Sequence, residues 1–289
     1  MNKIGIFGIG SIGSILVKYL DRNIDNKIYY YNRTQHKSIS ISYNQTTQEI
    51  PIEFYDKKNI KLDWLIVCIK KYQIEEAIQD IKELITFNTK LVIFQNGIEL
   101  SAPYEKLISK SRILETTIDC PVLRINKSEF NQLRIPVITL PKKDLAKDFV
   151  NLFINDEIKI DLLENFIKAQ WIKLIESSSI GAIQSLTGQP CSIFKEHKYL
   201  NDYRSLIKEG ITVANSDSIN IEIEILSQII DKMHSYPPSK GSSMLSDKLK
   251  GNTLELGAKI GAIVKIADRN NIKVPVTKKY YKSLLNQNR

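Results

Sequence analysis

The chain is predicted to be an α/β protein, with a doubly wound parallel sheet in its first half and a mainly α-helical second half. Three observations point there. Short apolar runs alternate with helical periods between residues 3 and 116, the pattern of strand–helix–strand units. The first run, Ile4-Gly5-Ile6-Phe7, leads straight into Gly8-Ile9-Gly10-Ser11-Ile12-Gly13 and then into the helical stretch from Ile15 to Leu20. Beyond about Leu162 the strand-like runs stop and a 3.6-residue apolar period takes over.

The elements follow in order. Strands are expected at 3–7, 27–31, 64–69, 91–94 and 112–116, each a run of β-branched, leucine or aromatic residues. Helices are expected at 11–21, 74–84 and 100–109. Residues 38–43 alternate polar and apolar side chains, as an added hairpin strand would, and 131–140 is expected as one strand closing the first domain. In the second half, 164–174 continues toward Leu186 as one long helix, and 199–216, 221–233, 244–250 and 253–270 are helical in period. Pro237-Pro238-Ser239-Lys240-Gly241 is a loop. The expected domains are 1–162 and 163–289.

Bulk properties narrow the function classes. A length of 289 residues suits two domains, and 43% hydrophobic residues suffice for real cores. No apolar run approaches the ~18–20 residues that span a bilayer. Lys3 and the apolar residues after it imitate a signal peptide, but glycines interrupt the run and no A-x-A-like cleavage site follows. Cys68, Cys120 and Cys191 are too far apart for a disulfide framework or a metal motif, so a reducing cytoplasm is expected and no metal is called. The formal charge of +9 is spread over scattered lysines, without the basic block or aromatic interleaving of a nucleic-acid surface. Neither a nucleic acid nor a membrane is expected as a partner.

The glycine run carries the first chemistry. A strand, then G-x-G-x-x-G, then a helix is the dinucleotide-binding fingerprint of a Rossmann-type sheet in its expected context. Gly8 permits the tight turn, Gly10 lets a pyrophosphate approach the backbone, and Gly13 lets the helix pack closely. The phosphates would rest on the helix N-terminus near Ser11 and Ile12. NAD enzymes usually carry an acid at the end of the second strand for the ribose 2′-hydroxyl. Here Asn32-Arg33-Thr34 stands there, so Arg33, assisted by Lys37, is assigned to the 2′-phosphate of NADP(H). Lys70-Lys71-Tyr72-Gln73 and Gln95-Asn96-Gly97 follow two further strands and should reach the same edge of the sheet.

The second half offers a proton donor. Lys173, Ser177 and Gly181 lie at i, i+4 and i+8, on one face of the long helix. Ser242-Ser243-Met244-Leu245-Ser246-Asp247 opens a later helix, and Glu255 is expected near the start of the next. A lysine held by a carboxylate is a workable general acid for ketone reduction, because the oxygen needs a proton as hydride reaches carbon.

These motifs together resemble the ketopantoate reductases (2-dehydropantoate 2-reductases) along nearly the whole chain. The matching residues are Gly8, Gly10 and Gly13, Lys70-Lys71-Tyr72-Gln73, Gln95-Asn96-Gly97, Trp171-x-Lys173-Leu174, Ser242-Ser243-Met244-Leu245-x-Asp247 with Glu255, and Pro275. The resemblance implies two domains, with NADPH on the first and a 2-oxo acid substrate in the cleft between them, and reduction of 2-dehydropantoate to (R)-pantoate on the route to pantothenate and coenzyme A. It implies Lys173 as the general acid and Glu255 as the acid that positions it. It implies Ser243 on the substrate carboxylate, Asn96 near nicotinamide and substrate, and Lys70 in the cofactor site. A homodimer through the helical domain is the assembly envisaged.

Two departures bear on substrate. The family carries asparagines four and eight residues after the lysine, where this chain has Ser177 and Gly181. Ser177 reaches less far, and Gly181 is expected to leave extra room, with Gln184 or Ser178 as candidate replacements. The stretch Glu115 to Cys120 also lacks the glycine and histidine often seen there. Two alternatives therefore stay open: a reductase of a different 2-oxo acid, and an NADP-binding sensor of little activity.

Overall fold

The computed structural model describes residues 1–33, 37–52, 60–154 and 158–287. The chain divides into two compact units, Met1–Gln95 with Glu99–Phe166, and Asn96–Ile98 with Ile167–Arg289.

The first unit is built on β1 (Asn2–Phe7), α1 (Ser11–Leu20), β2 (Asn26–Tyr31), β3 (Ser38–Tyr43), β4 (Thr46–Pro51), β5 (Trp64–Val67), α2 (Ile74–Leu84), β6 (Lys90–Ile93) and β7 (Ile113–Glu115). Then come β8 (Thr117–Asp119), β9 (Val122–Arg124), β10 (Glu129–Gln132), β11 (Val137–Pro141), α3 (Asp144–Val150) and β12 (Lys159–Leu163). Five strands form a parallel sheet in the order β2-β1-β5-β6-β7. The chain leaves β1 in one direction and returns through β5 on the other side. This makes the carboxyl ends of β1 and β5 the switch point where such sheets bind ligands.

Side-chain alternation fills both faces of this sheet. Ile4, Ile6, Ile66, Val92 and Leu114 point to one face, under Ile15 and Leu16 of α1 and Phe149 of α3. Leu65, Val67, Leu91 and Ile93 point to the other, under Ile74, Ile81 and Leu84 of α2 and Tyr104. The run Tyr29-Tyr30-Tyr31 obeys the same rule: Tyr30 joins the first cluster, and Tyr29 and Tyr31 join the second.

Helix α1 is unusual in that every residue from Gly13 to Leu20 is buried. A surface helix buries one stripe, and a helix buried all round needs partners on both sides. Here the parallel sheet covers one side and a second sheet, β4-β3-β10-β9, covers the other. Lys18 is buried with the rest, and its Nζ donates to Gln132 Oε1 at 3.0 Å. A third sheet, β12-β11-β8, lies alongside β7.

Several expectations need correction. Residues 100–109 form successive turns, with no regular helix. Leu100, Tyr104 and Ile108 are buried at helical spacing, which produces the periodic signal. Pro103 interrupts it by removing a donor and biasing Ala102 away from helical backbone. The single strand expected at 131–140 is two, β10 and β11, which pair in different sheets. Helix α3 and strand β12 went unforeseen. Residues 38–43 do form a hairpin strand, β3, paired antiparallel with β4.

The second unit is helical: α4 (Phe166–Thr187), α5 (His197–Ser216), α6 (Ile225–His234), α7 (Ser243–Leu249), α8 (Ile260–Arg269) and α9 (Pro275–Gln287). Its core gathers Trp171 and Ile175 of α4, Tyr203 and Ile207 of α5, and Ile263 of α8. The expected helix at 253–270 begins only at Ile260, so Glu255 sits in the non-helical stretch before it. Helix α9, missed in the sequence, starts at Pro275, whose fixed φ suits a first helical position. Its free donors are met from outside. Glu209 of α5 accepts from Val276 N at 3.0 Å, Thr277 N at 2.8 Å and Thr277 Oγ1 at 2.7 Å. This carboxylate does the work of an N-cap from a distant part of the chain. Among the described residues no helix is long and apolar enough to cross a membrane.

The glycine loop makes a paired prediction. A Cβ on Gly13 would sit 2.1 Å from the Gly8 carbonyl oxygen, a backbone atom that cannot turn aside, whereas a Cβ on Gly10 meets nothing within 4 Å. Gly13→Ala should lose about 2 kcal/mol or more of stability in urea denaturation. Gly10→Ala should fall within about 0.5 kcal/mol of the parent protein. Equal losses in the two variants would contradict this account of the loop.

Candidate functional site

Site residues lie in two groups, one in each unit. In the first unit they line the carboxyl edge of the parallel sheet. Gly8 leaves β1 with φ +98°, a conformation glycine adopts at little cost. Its N–H donates to Tyr31 O at 2.8 Å, which ties the loop to the end of β2. Gly10 is the N-cap of α1, whose first turn has neither an acidic residue nor a side-chain cap. The N–H groups of Ser11, Ile12 and Gly13 therefore lie in a helix N-terminus whose positive end no local carboxylate offsets.

The neighbouring strand ends complete this edge. Arg33 follows β2 with an exposed side chain 3.6 Å from Glu76 Oε2, both 77% exposed, and a pair so open to water contributes little. Thr34 lies outside the described residues. Lys70 follows β5, and its backbone N–H donates to Gln73 Oε1 at 2.9 Å. Gln95, at the end of β6, donates to Ile69 O at 2.8 Å and fastens the two strand ends together. Burial pushes the Cys68 thiol far above its ordinary range, and its Cβ would lie 3.5 Å from a Cβ on Gly13.

In the second unit the site grows from α4. Lys173 and Ser177 are half-buried and Gly181 is buried. The room expected at Gly181 is taken: a Cβ there would lie 2.8 Å from Met244 Sδ. Met244 thus seats the start of α7 on the Lys173 face of α4. Gln184 reinforces that seat. It is fully buried, its Oε1 accepts from Ser242 N at 2.6 Å, and its Nε2 donates to Lys240 O at 3.0 Å. Ser178 is buried too, its hydroxyl without a partner. Ser177 Oγ only approaches Leu174 O, at 3.4 Å.

Two further contacts bring distant stretches together. Asn96 Nδ2 donates to Glu255 Oε2 at 3.0 Å. The sequence reading put Asn96 on the sheet edge, but the segment Asn96–Ile98 belongs to the second unit, with Ile98 in that unit's core. Gly97 at φ +115° makes the necessary turn. Ser243 Oγ in turn accepts from Lys259 Nζ at 3.1 Å. Lys259, which the sequence reading missed, is 2% exposed and Glu255 is 4% exposed. The two lie one turn apart, joined by Lys259 N to Glu255 O at 3.1 Å. A lysine four residues after a marked glutamate was the only signal for it in the sequence. Among the described residues no group of three or more His, Cys, Asp and Glu side chains is placed to hold a metal ion.

Comparisons with known proteins agree with this layout. Residues 4–144 match the family model described as ketopantoate reductase PanE/ApbA, and residues 165–287 match its C-terminal counterpart. A 2-dehydropantoate 2-reductase of Caulobacter vibrioides is 24% identical over 277 residues, 95% of each chain. A dimeric ketopantoate reductase from Staphylococcus aureus superposes with a TM-score of 0.87 at 21% identity, over 99% of this chain and 98% of that one. A D-mandelate dehydrogenase solved with NADH and anilino(oxo)acetate gives 0.90 at 16% identity, over 99% and 98%. The two family models between them cover most of its length, and the chain belongs to the ketopantoate reductase family.

Proposed function

We propose that this protein reduces 2-dehydropantoate to (R)-pantoate with NADPH, a step toward pantothenate and coenzyme A. The observation that carries the reading is the pairing of residues from separate stretches of the chain, Asn96 with Glu255 and Ser243 with Lys259, within a chain of this family.

The glycine loop fits a dinucleotide. Open space over Gly10 leaves room for a pyrophosphate that any side chain would fill, and the uncapped turn at Ser11, Ile12 and Gly13 supplies donors. Arg33 would hold the 2′-phosphate, since it is exposed at the end of β2 and no acid precedes it there. Lys70 adds positive charge beside the loop. When bound, the dinucleotide supplies a hydride to the ketone carbon. The protein's part is the proton and the positioning. Lys173 donates a proton to the ketone oxygen as negative charge develops on it. Glu255, held by the Asn96 amide at 3.0 Å, orients the lysine and is itself kept in one rotamer. Ser243 donates its hydroxyl to the substrate carboxylate, and Ser177 presents a short polar group one turn beyond Lys173. Like the Staphylococcus aureus relative, the protein is inferred to work as a homodimer, and it is inferred to reside in the cytoplasm.

A second reading rests on Met244. Where the family carries an amide, this chain packs a thioether over Gly181, which leaves an apolar wall. That favours a 2-oxo acid with fewer polar groups than 2-dehydropantoate. NADPH oxidation followed at 340 nm with 2-dehydropantoate, beside 2-oxo acids lacking its hydroxyl or its dimethyl group, separates the readings. Preference for 2-dehydropantoate supports the first, and a better substrate elsewhere in the panel supports the second. Failure with every 2-oxo acid while NADPH still binds would leave a sensor.

Three variants test the assignments. Lys173→Ala should lower turnover by two to three powers of ten, about what a lost general acid costs, with NADPH affinity nearly unchanged. Near-parental turnover would remove Lys173 from the mechanism. Arg33→Ala should weaken NADPH far more than NADH, and an equal loss would show that Arg33 does not read the 2′-phosphate. Gly181→Asn should cost about 1–3 kcal/mol in urea denaturation, because the new side chain must displace Met244. A variant as stable as the parent would mean that the Met244 seat is loose.

A further inference from the structure

We propose that Lys259 is the charge behind the carboxylate site, a positioning residue that makes Ser243 select substrates with an ionised carboxylate. The inference rests on the 2-oxo acid reductase reading above. Lysine is almost never fully buried unless it is paired, and a buried ammonium must be met by hydrogen-bond partners. Lys259 is 2% exposed, and its Nζ lies 3.1 Å from Ser243 Oγ. Ser243, by contrast, is exposed at the start of α7.

The direction of that bond decides what Ser243 can do. An ammonium has donors only, so the serine oxygen accepts and its own proton is turned elsewhere. A hydroxyl that accepts from a cation is also a stronger donor. The outward face of Ser243 is therefore an O–H donor with a positive charge directly behind it, which suits a carboxylate and not a neutral carbonyl. Ser242 lacks such a charge behind it: its Oγ accepts from the neutral Leu245 N–H at 3.2 Å as the N-cap of α7.

The backbone keeps Lys259 in place. Its N–H donates to Glu255 O at 3.1 Å, and its carbonyl accepts from Ala262 N at 3.0 Å. The turn that presents Glu255 to Asn96 therefore also presents Lys259 to Ser243. One short segment carries a carboxylate toward the proton-donor side and an ammonium toward the substrate-anion side.

The test pairs Lys259→Met with Lys259→Arg and compares each 2-oxo acid with its methyl ester. Binding of oxamate is measured in parallel by calorimetry, with and without NADP+. Loss of a charge-assisted contact should raise KM for the acid about 10- to 100-fold in Lys259→Met, with kcat changed less than about threefold and KM for the ester unchanged. Oxamate affinity should fall by a similar factor, and Lys259→Arg should recover part of it. Equal losses for acid and ester, or oxamate bound equally by parent and Lys259→Met, would overturn the proposal. Should Lys259→Met fail to fold, Ser243→Ala alters an exposed side chain and must reduce the acid-over-ester preference; an unchanged preference overturns the proposal as well. Failure of the reductase reading is seen separately, as a parent protein that reduces no 2-oxo acid. The oxamate titration reads the Lys259 charge in that case too, and a parent protein that does not bind oxamate refutes the carboxylate site itself.

Discussion

The first unit depends on one backbone contact, between Gly13 and the Gly8 carbonyl. A methyl group at Gly13 would come within 2.1 Å of that oxygen, so the first turn of α1 can lie over the turn out of β1 only because Gly13 has no side chain. Much follows from this closeness. It presses α1 into the parallel sheet deeply enough for the second sheet to close over its back, which is why eight consecutive residues of the helix are buried. It also brings the positive end of the helix onto the switch point of the sheet, where the strand ends carrying Arg33, Lys70 and Gln95 converge. Packing and anion binding are thus two results of one close approach.

The second unit solves a different problem: it holds short polar segments at fixed places beside one long helix. The junction of α4 and α7 does this through three contacts of different chemistry. Met244 fills the surface of Gly181, the Gln184 amide takes both a donor and an acceptor from the 240–242 loop, and Lys248 Nζ donates to Ser185 O at 2.5 Å. A buried amide satisfied at both ends fixes register as well as position. With α7 fixed, Ser243 is fixed. The segment from Glu255 to Lys259 then reaches Ser243 through Lys259 and Asn96 through Glu255. Beside Lys173 this framework presents the hydroxyl of Ser177 and the thioether of Met244 over Gly181.

Much of this was legible in the residues. The strands of the parallel sheet, the glycine loop, α2 and the long helix follow from period and composition, because each buries a regular pattern against a regular partner. What misled was burial without regular backbone. Leu100, Tyr104 and Ile108 are spaced as in a helix, yet they belong to turns around Pro103. The apolar stretch after Thr253 is largely buried in irregular and turn conformations before α8 begins. Helix α9 was hidden because its sequence is polar and its N-terminus is capped by Glu209 from α5, a partner that no local window contains.

The sequence by itself determined the order of the elements, the glycine loop and the identity of the chemical groups, because these depend on local backbone limits and on residue type. Only the tertiary structure decided which groups meet. Asn96 was read as part of a strand-end turn, and it belongs with the helical unit because Ile98 finds its core there. Gly181 was read as vacant, and a methionine more than sixty residues away fills it. Lys259 drew no attention as one lysine among many, and burial against Ser243 gives it a role. Contacts of this kind form between segments whose separation in sequence carries no information about their separation in space. They are fixed by packing of the whole unit and not by any local preference.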